Sequence, residues 1–340
     1  AAPTSHLWTT HTTMVNSDYN NLAGYLKNCY MVSHADHNED CSYASGIKFS
    51  KHCFDMTMTL GSELSYESLD IIKGYQNFYS ADCEACHNIY FSKNLIGCHD
   101  CFGCVNLRNK AYHIFNQPYS KEKYEQKLKE FNLGSAVAVA EVKKHAQQFW
   151  LGFPNKNYHG THNQNVSGDY IYNSKNVRVS YEIGGAENSK YIQFASVKPT
   201  TDCYDYTEWG IGADLLYEAL LCGDGVSQLR FIALCMVDVK ESEYSYYLSG
   251  SSNCFGCVGL RKQKYCILNK QYTKEEYEAL VPRIIAHMNE MPYVDGQGRT
   301  YRYGEFSPPA LSPYGYNTST AQEFFPRTKE EVLAQGIAWR

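Results

Sequence analysis

From Cys29 onward the chain carries marks at a fixed interval. Cys29-Tyr30, Cys41-Ser42-Tyr43, Cys53-Phe54, Ser65-Tyr66, Phe78-Tyr79, Ile89-Tyr90 and Cys101-Phe102 follow one another at steps of 12, 12, 12, 13, 11 and 12 residues. Between them lie short apolar alternations such as Ile47-Lys48-Phe49 and Met56-Thr57-Met58-Thr59-Leu60, then breaks rich in Asn, Asp, Ser and Gly. Strands of a few residues at constant spacing, with no helical period between them, are the signature of a parallel β-solenoid. An antiparallel sandwich would need hairpin turns, and the Asn-Gly and Asp-Gly pairs that make them are scarce. The interval permits one coil per ~12 residues or two half-coils in a coil of ~24. A narrow coil admits little beyond Ser, Ala, Thr or Cys, whereas Phe49, Met58, Leu60, Ile71 and Phe91 need room, so packing favours the wider coil.

The last mark begins a stretch that returns. Cys101-Phe102-Gly103-Cys104-Val105-Asn106-Leu107-Arg108 recurs as Cys254-Phe255-Gly256-Cys257-Val258-Gly259-Leu260-Arg261, and ungapped alignment of 101–125 on 254–278 leaves 15 of 25 positions identical. Tyr112/Tyr265, Ile114/Ile267, Asn116/Asn269, Tyr119/Tyr272 and Glu125/Glu278 are among them. The chain therefore reads as two copies of one unit. After each copy the pattern turns helical. Ser120 caps a segment reaching about Asn132 with Tyr124, Leu128 and Phe131 on one face, and Gly134 ends it. Thr273 and Glu276 form a capping box for a helix to about Met288 with Tyr277, Leu280, Ile284 and Met288 as its stripe. Pro282 inside that pattern predicts a kink or a split. A helix laid over a solenoid end removes both an apolar cross-section and unpaired strand edges.

The expected fold class is mainly β: two tandem parallel β-solenoid units, each closed by a C-terminal α-helical cap. The divisions fall at 1–28, an irregular start; 29–134, the first solenoid and cap; 135–164, a helical linker; 165–291, the second solenoid and cap; and 292–340, an extended tail with a short helix. In the second copy strand-like runs recur less regularly, at Tyr170-Ile171-Tyr172, Val177-Arg178-Val179, Tyr191-Ile192-Gln193-Phe194, Leu215-Leu216, Phe231-Ile232 and Tyr244-Ser245-Tyr246-Tyr247. Thr328 to Glu331 makes another capping box, with Gly336 as a stop.

The runs CFGCVNLRNKAYHIFNQPYSKEKYE and CFGCVGLRKQKYCILNKQYTKEEYEALVPRIIAHM, with the tail YGEFSPPALSPYGYNTSTAQEFFPRTKEEVLAQG, resemble an uncharacterised family of Cys- and Tyr-rich repeat proteins from bacterial environmental genomes. Some of its members carry a CaiB/BaiF label that their sequences do not support. The resemblance spans almost the whole chain. It implies relatives with a Cys-rich, zinc-ribbon-like stretch ahead of the repeats that does not occur in this sequence. This chain is also poorer in Cys than the resemblance implies, with His113 where the second copy has Cys266. The family brings no activity with it.

Composition narrows the function classes. With 31 Lys and Arg against 36 Asp and Glu, and no dense basic run, a nucleic-acid footprint is not expected. No apolar run of about 18 residues marks a membrane span. The start, Ala1-Ala2-Pro3-Thr4, has neither an initiator Met nor signal-peptide regions and reads as a mature or trimmed end. Thirty Tyr suit strands, where an amphipathic ring lies on a pleated surface with its hydroxyl near water. Fourteen Cys in a chain this long read as reduced, buried, small apolar residues, which favours the cytoplasm over secretion.

Several clusters carry candidate chemistry. Asp202, Asp205, Glu208 and Asp214 beside Tyr204, Tyr206 and Trp209 put carboxylates next to stacking rings, the pattern of a polysaccharide lyase or hydrolase. Cys83, Cys86, Cys98 and Cys101 have zinc-ligand spacing, although a coil of ~24 residues would hold the two pairs on different sides. Cys83-Glu84-Ala85-Cys86-His87 matches a haem-attachment motif, but strand alternation separates Cys86 from His87 and no haem is expected. His34/His37 and His159/His162 are loop pairs, and Arg108 and Arg261 hydrogen-bond near the caps. The expected function is a non-catalytic binding or structural protein that recognises an extended polymer or protein partner, or self-associates. The alternatives are a carbohydrate-active enzyme using the 202–214 acids and a Cys-based metal-binding module.

Overall fold

The computed structural model describes residues 13–195, 223, 225–233, 237–306, 308–312, 314–319, 321–322 and 325–340. The protein is mainly β, with long and mostly parallel sheets, and divides into two units, Pro3–Asn155 and Lys156–Arg340. In the first, a 12-stranded sheet runs from Met14–Val15 to Gln117–Pro118. Its parallel pairings have one register throughout: Met14 lies beside Leu26, Asn21 beside Ser33, Tyr30 beside Ser42, Phe54 beside Tyr66 and His99 beside Ala111, each a step of twelve. The chain thus advances one strand spacing, roughly 4.8 Å, for every twelve residues.

The backbone within each step has a period of three. From Asn16 to Phe115 every third residue has positive φ, with glycine at 46, 61, 97 and 103. An ordinary residue pays about 1–2 kcal/mol for that conformation. Asn, Asp and Gly tolerate it best, and none of these positions is Val, Ile or Thr. The residue after each left-handed one points inward, so that Cys29, Val32, Ala35, Asn38 and Cys41 are buried in succession. A period of three, rather than the alternation of an ordinary strand, decides what is inside.

That period corrects the expectation of a wide coil. Of the five bulky residues that suggested it, only Ile71 faces the interior; Phe49 and Leu60 are 58% and 43% exposed, and Phe91 is buried from outside by a helix. The interior layers are small: Cys41-Ala44-Ile47-Ser50, then Cys53-Met56-Thr59-Ser62, then Ser65-Ser68-Ile71-Gly74. Polar groups belong there because one amide in three has no place in the strand ladder. Tyr30 N–H donates to Cys41 O (3.1 Å) and Met31 N–H to Asp18 O (3.4 Å), but Val32 N–H donates to the side chain of Asn20 (2.7 Å). Inward Ser and Cys do the same for the residue twelve later. Ser68 Oγ accepts from Ser80 N–H (3.1 Å), Ser80 Oγ from Ser92 (3.2 Å), Ser92 Oγ from Cys104 (2.9 Å) and Cys104 Sγ from Asn116 (3.4 Å).

The recurring motif has a local cause. Gly103 and Gly256 are both at φ +65°, and a Cβ there would meet the Phe115 ring at 2.5 Å or the Leu268 side chain at 2.9 Å. Both segments then turn back through antiparallel hairpins, Ile114 beside Gln117 and Ile267 beside Lys270. Their two-residue turns, Phe115-Asn116 and Leu268-Asn269, take positive φ at both positions. The Asn116 side-chain amide accepts the Val105 N–H (2.9 Å) and donates to the Val105 carbonyl (3.0 Å), and the Asn269 amide does the same with Val258 (2.8 and 2.8 Å), which accounts for the shared Asn.

Helices α1 (Lys121–Glu130) and α2 (Ala136–Leu151) begin at Ser120 and Ser135, and α3 (Lys274–Glu290) and α4 (Lys329–Ala334) begin at full capping boxes. Phe102, Ile114 and Tyr124 form one buried cluster with Val142 and Ala146, and their aligned counterparts Phe255, Ile267 and Tyr277 form another with Leu280, Ile284 and Met288 alongside. Pro282 lies inside a single continuous α3, so the helix is not split. In the second unit the register wavers: Gly160 pairs with Ile171, Gly168 with Ser180 and Ser227 with Lys240, steps of 11, 12 and 13. Of the expected runs, Tyr170-Ile171-Tyr172 lies within the strand Gly168–Tyr172 and Gln193-Phe194 within Gln193–Ala195, whereas Val177-Arg178-Val179, Phe231-Ile232 and the run from Tyr244 fall just beside Ser180–Gly184, Ser227–Arg230 and Lys240–Glu243.

Candidate functional site

In the first unit, the positions between inward residues 29 and 32, and their equivalents at each step, are mostly aromatic. In order they are Asp18-Tyr19, Tyr30-Met31, Ser42-Tyr43, Phe54-Asp55, Tyr66-Glu67, Phe78-Tyr79, Tyr90-Phe91 and Phe102-Gly103. Rings on neighbouring levels touch: Tyr30 meets Tyr19 and Tyr43 edge-on at 5.5 and 5.8 Å, and Phe78 and Tyr79 stack on Tyr90 and Phe91 at 5.1 and 4.7 Å. The far end of this face lies under α1 and α2, where Phe102 stacks on Phe131 at 4.2 Å. The near end is open, with Tyr19 69%, Tyr43 57% and Phe54 42% exposed.

Where the open part meets α2 there is a groove of about 410 Å³, lined by Asp55, Thr57, Glu67, Tyr79, Phe91, Lys143 and Trp150 among others. Lys143 pairs with Glu67 and lies 4.4 Å from the centre of the Tyr79 ring. The buried Trp150 Nε1 has no hydrogen-bond partner. Burial, then the Asp55 and Glu67 charges, push the neighbouring Tyr66 phenol up. Rings, two carboxylates, a lysine and an indole N–H thus meet at one place. The sequence reading missed this cluster because its members come from different steps and from a helix beyond them.

The four cysteines with zinc spacing face the interior. With a step of twelve, Cys98 lies directly over Cys86, whose sulfur accepts the Cys98 N–H at 3.4 Å, so the wide-coil argument that parted the two pairs does not hold. Their sulfurs donate to backbone carbonyls: Cys83 to Ala81, Cys86 to Glu84, Cys98 to Ile96 and Cys101 to His99, at 3.2 to 3.4 Å. Burial pushes the Cys83 thiol up to about 12. Thiol hydrogen bonds from Cys101 and Cys86 hold Cys98 low, while Cys86 is raised by its bond to Cys98 and by burial. Cys29, Cys41 and Cys53 form a second stack, and all eleven described cysteines are buried and free. The haem-like run has both sulfurs inside and the His87 imidazole exposed.

The opposite kind of face carries charge. Lys27, Glu39 and Lys51 form a ladder, Glu39 pairing with both lysines at 2.5 and 3.1 Å. Further along, His87, Asn88, His99 and Asp100 occupy a two-by-two grid. His99 Nδ1 is 2.7 Å from Asp100 Oδ2, Asn88 donates to Asp100 Oδ1 at 2.9 Å, and the His87 and His99 rings stack at 4.9 Å. Among the described residues, the donor atoms that gather within 4.8 Å are those of His87, His99 and Asp100. His37 is instead stacked between Tyr25 and Phe49, and His159 pairs with Asp169 and stacks on Tyr170. Arg108 clamps Asn94 through its backbone and side-chain oxygens (2.6 and 3.0 Å). Asp202, Tyr204, Asp205, Tyr206, Glu208, Trp209 and Asp214 lie outside the described residues, as do Leu215 and Leu216. No helix among the described residues is long and apolar enough to cross a membrane. A scan against family models finds no match, and a search of curated proteins finds no relative.

Proposed function

We propose that this chain is a non-catalytic recognition scaffold, built as two β-solenoid units of twelve-residue coils, each closed by C-terminal helices, and that its first unit binds an extended glycan. The register of twelve, the small interior layers and the aligned helix-contact clusters support the architecture. The observation that carries the function is the open aromatic face running into the α2 groove. A flat face built level by level presents rings at intervals of roughly 4.8 Å, which suits a partner that is itself extended. Tyr19, Tyr30, Tyr43 and Phe54 offer stacking surfaces, and Asp18, Ser42, Asp55 and Glu67 among them offer hydrogen bonds to hydroxyls. The groove adds Lys143 and the side of the Trp150 ring. Such a mixture favours sugar rings over a wholly apolar protein surface.

The test is co-sedimentation of the intact chain with insoluble polysaccharides, together with the variants Tyr19→Ser, Tyr43→Ser and Phe54→Ser combined. The triple variant keeps the circular dichroism of the parent and loses retention at least tenfold. Retention unchanged in the triple variant, or absence of retention on neutral, acidic and amino polysaccharides alike, rejects the reading. Concentration-dependent sedimentation that the same variant abolishes would assign the face to self-association instead.

A further inference from the structure

We propose that His87, His99 and Asp100 form a surface binding site for a divalent transition-metal ion. The site is independent of the glycan reading, because it lies on the charged face rather than the aromatic one. It is a product of the twelve-residue step. His87 and His99 stand one above the other because they are twelve apart, and Asp100 stands beside His99 in the adjoining column. Three donors from two levels are thereby gathered on a rigid sheet, with all ligating atoms within 4.8 Å of one another.

The geometry suits a small ion. Metal bonds to imidazole nitrogen and carboxylate oxygen of about 2.0–2.2 Å place adjacent ligands about 3 Å apart. The separation of His99 Nδ1 and Asp100 Oδ2 is 2.7 Å, so an ion replaces the proton between them with little movement. Asn88 Nδ2 holds the other carboxylate oxygen at 2.9 Å and leaves Oδ2 directed at the imidazole, the kind of outer support that ligating carboxylates have. The rings of Tyr112 and His99 meet at right angles, with centres 5.5 Å apart. His87 is the adjustable member. Its ring is parallel to that of His99 within 3°. An ion in the plane of one ring lies outside the plane of the other, so His87 must turn about its Cβ–Cγ bond to complete the set. It is exposed and has room to do so.

Two neutral imidazoles and one carboxylate select the class of ion. They suit nickel, zinc, cobalt or ferrous iron, whereas calcium and magnesium require oxygen-rich sets. Three protein ligands on an exposed face leave the remaining coordination positions to solvent.

Isothermal titration of the reduced, intact chain with nickel(II) alone and with zinc(II) alone tests the assignment. One ion per chain is expected to bind, with affinity at least tenfold lower in His99→Ala, Asp100→Asn and His87→Ala and roughly tenfold lower in Asn88→Ala. His52→Ala, on the same face, binds as the parent does. His87 is exposed, so its variant keeps the test valid if a change at His99 impairs folding. Binding in His87→Ala equal to the parent's, absence of any ion from the parent, or calcium binding as tight as nickel would each overturn the proposal.

Discussion

Ser80 offers a way to weigh the interior polar ladder. Its hydroxyl accepts the Ser92 N–H at 3.2 Å and donates to Phe78 O at 2.9 Å, and the residue is 3% exposed. In Ser80→Ala the Phe78 carbonyl keeps a partner, because it also accepts the Phe91 N–H at 2.9 Å. The Ser92 amide, on a fully buried residue, loses its acceptor. Stranding one buried backbone donor costs about 1–3 kcal/mol. Ser80→Cys keeps an acceptor in place, as Cys86 does for Cys98, and the added bulk of sulfur costs less than about 1.5 kcal/mol. Urea unfolding followed by far-ultraviolet circular dichroism, with exchange of the Ser92 amide, measures both effects. Alanine should lower the midpoint at unchanged slope and speed Ser92 exchange, while cysteine should leave exchange near that of the parent. Alanine as stable as cysteine, with Ser92 still protected, would refute the idea that inward Ser and Cys are present to satisfy amides.

Phe102→Ala should cost about 3–5 kcal/mol, since Phe102 is fully buried between the sheet and Phe131; the loosening of α1 and α2 is read as a change in Trp150 fluorescence. Gly103→Ala should destabilise more than Gly259→Ala: both have positive φ and pay about 1–2 kcal/mol for it, but only Gly103 has the Phe115 ring where the Cβ would go. Thermal unfolding of the two variants decides this. Asp295 binds Arg299 through its backbone and guanidinium, and those bonds outweigh burial and hold its carboxyl below the ordinary value. A lowered carboxylate stabilises above its unfolded pKa of about 3.9 and stops doing so as the pH falls through the folded value. Exchange at the Tyr293–Thr300 hairpin should therefore rise below about pH 4 in the parent but not in Asp295→Asn.

Much of this was legible in the residues. The interval of twelve, the Ser120, Thr273 and Thr328 caps and the helix faces around Tyr124 and Tyr277 were each visible as spacing or cap chemistry. The number of residues per level was not. Met58 and Leu60 look like core by ordinary strand alternation, and the inward period of three shows only when Cys29, Val32, Ala35, Asn38 and Cys41 are lined up. Left-handed residues recurring at every third position are what create that period, and Tyr, His and Met among them hide the Asn, Asp and Gly signal. The His87, His99 and Asp100 grid escaped notice for the same reason, because its members become neighbours only once the step is known. The groove at Trp150 depends on where α2 lies, which no local pattern specifies.

The twelve-residue step is the central claim, and chain excision tests it most directly. Removing residues 54–65 joins Cys53 to Tyr66, which occupies the same column as Phe54, so every inward side chain stays inward. The shortened chain should keep the parent's circular dichroism and unfold cooperatively in urea, while removing 54–59 should abolish both by breaking the register. A chain that tolerates loss of 54–77 but collapses on loss of 54–65 would show a coil twice as long and contradict the account.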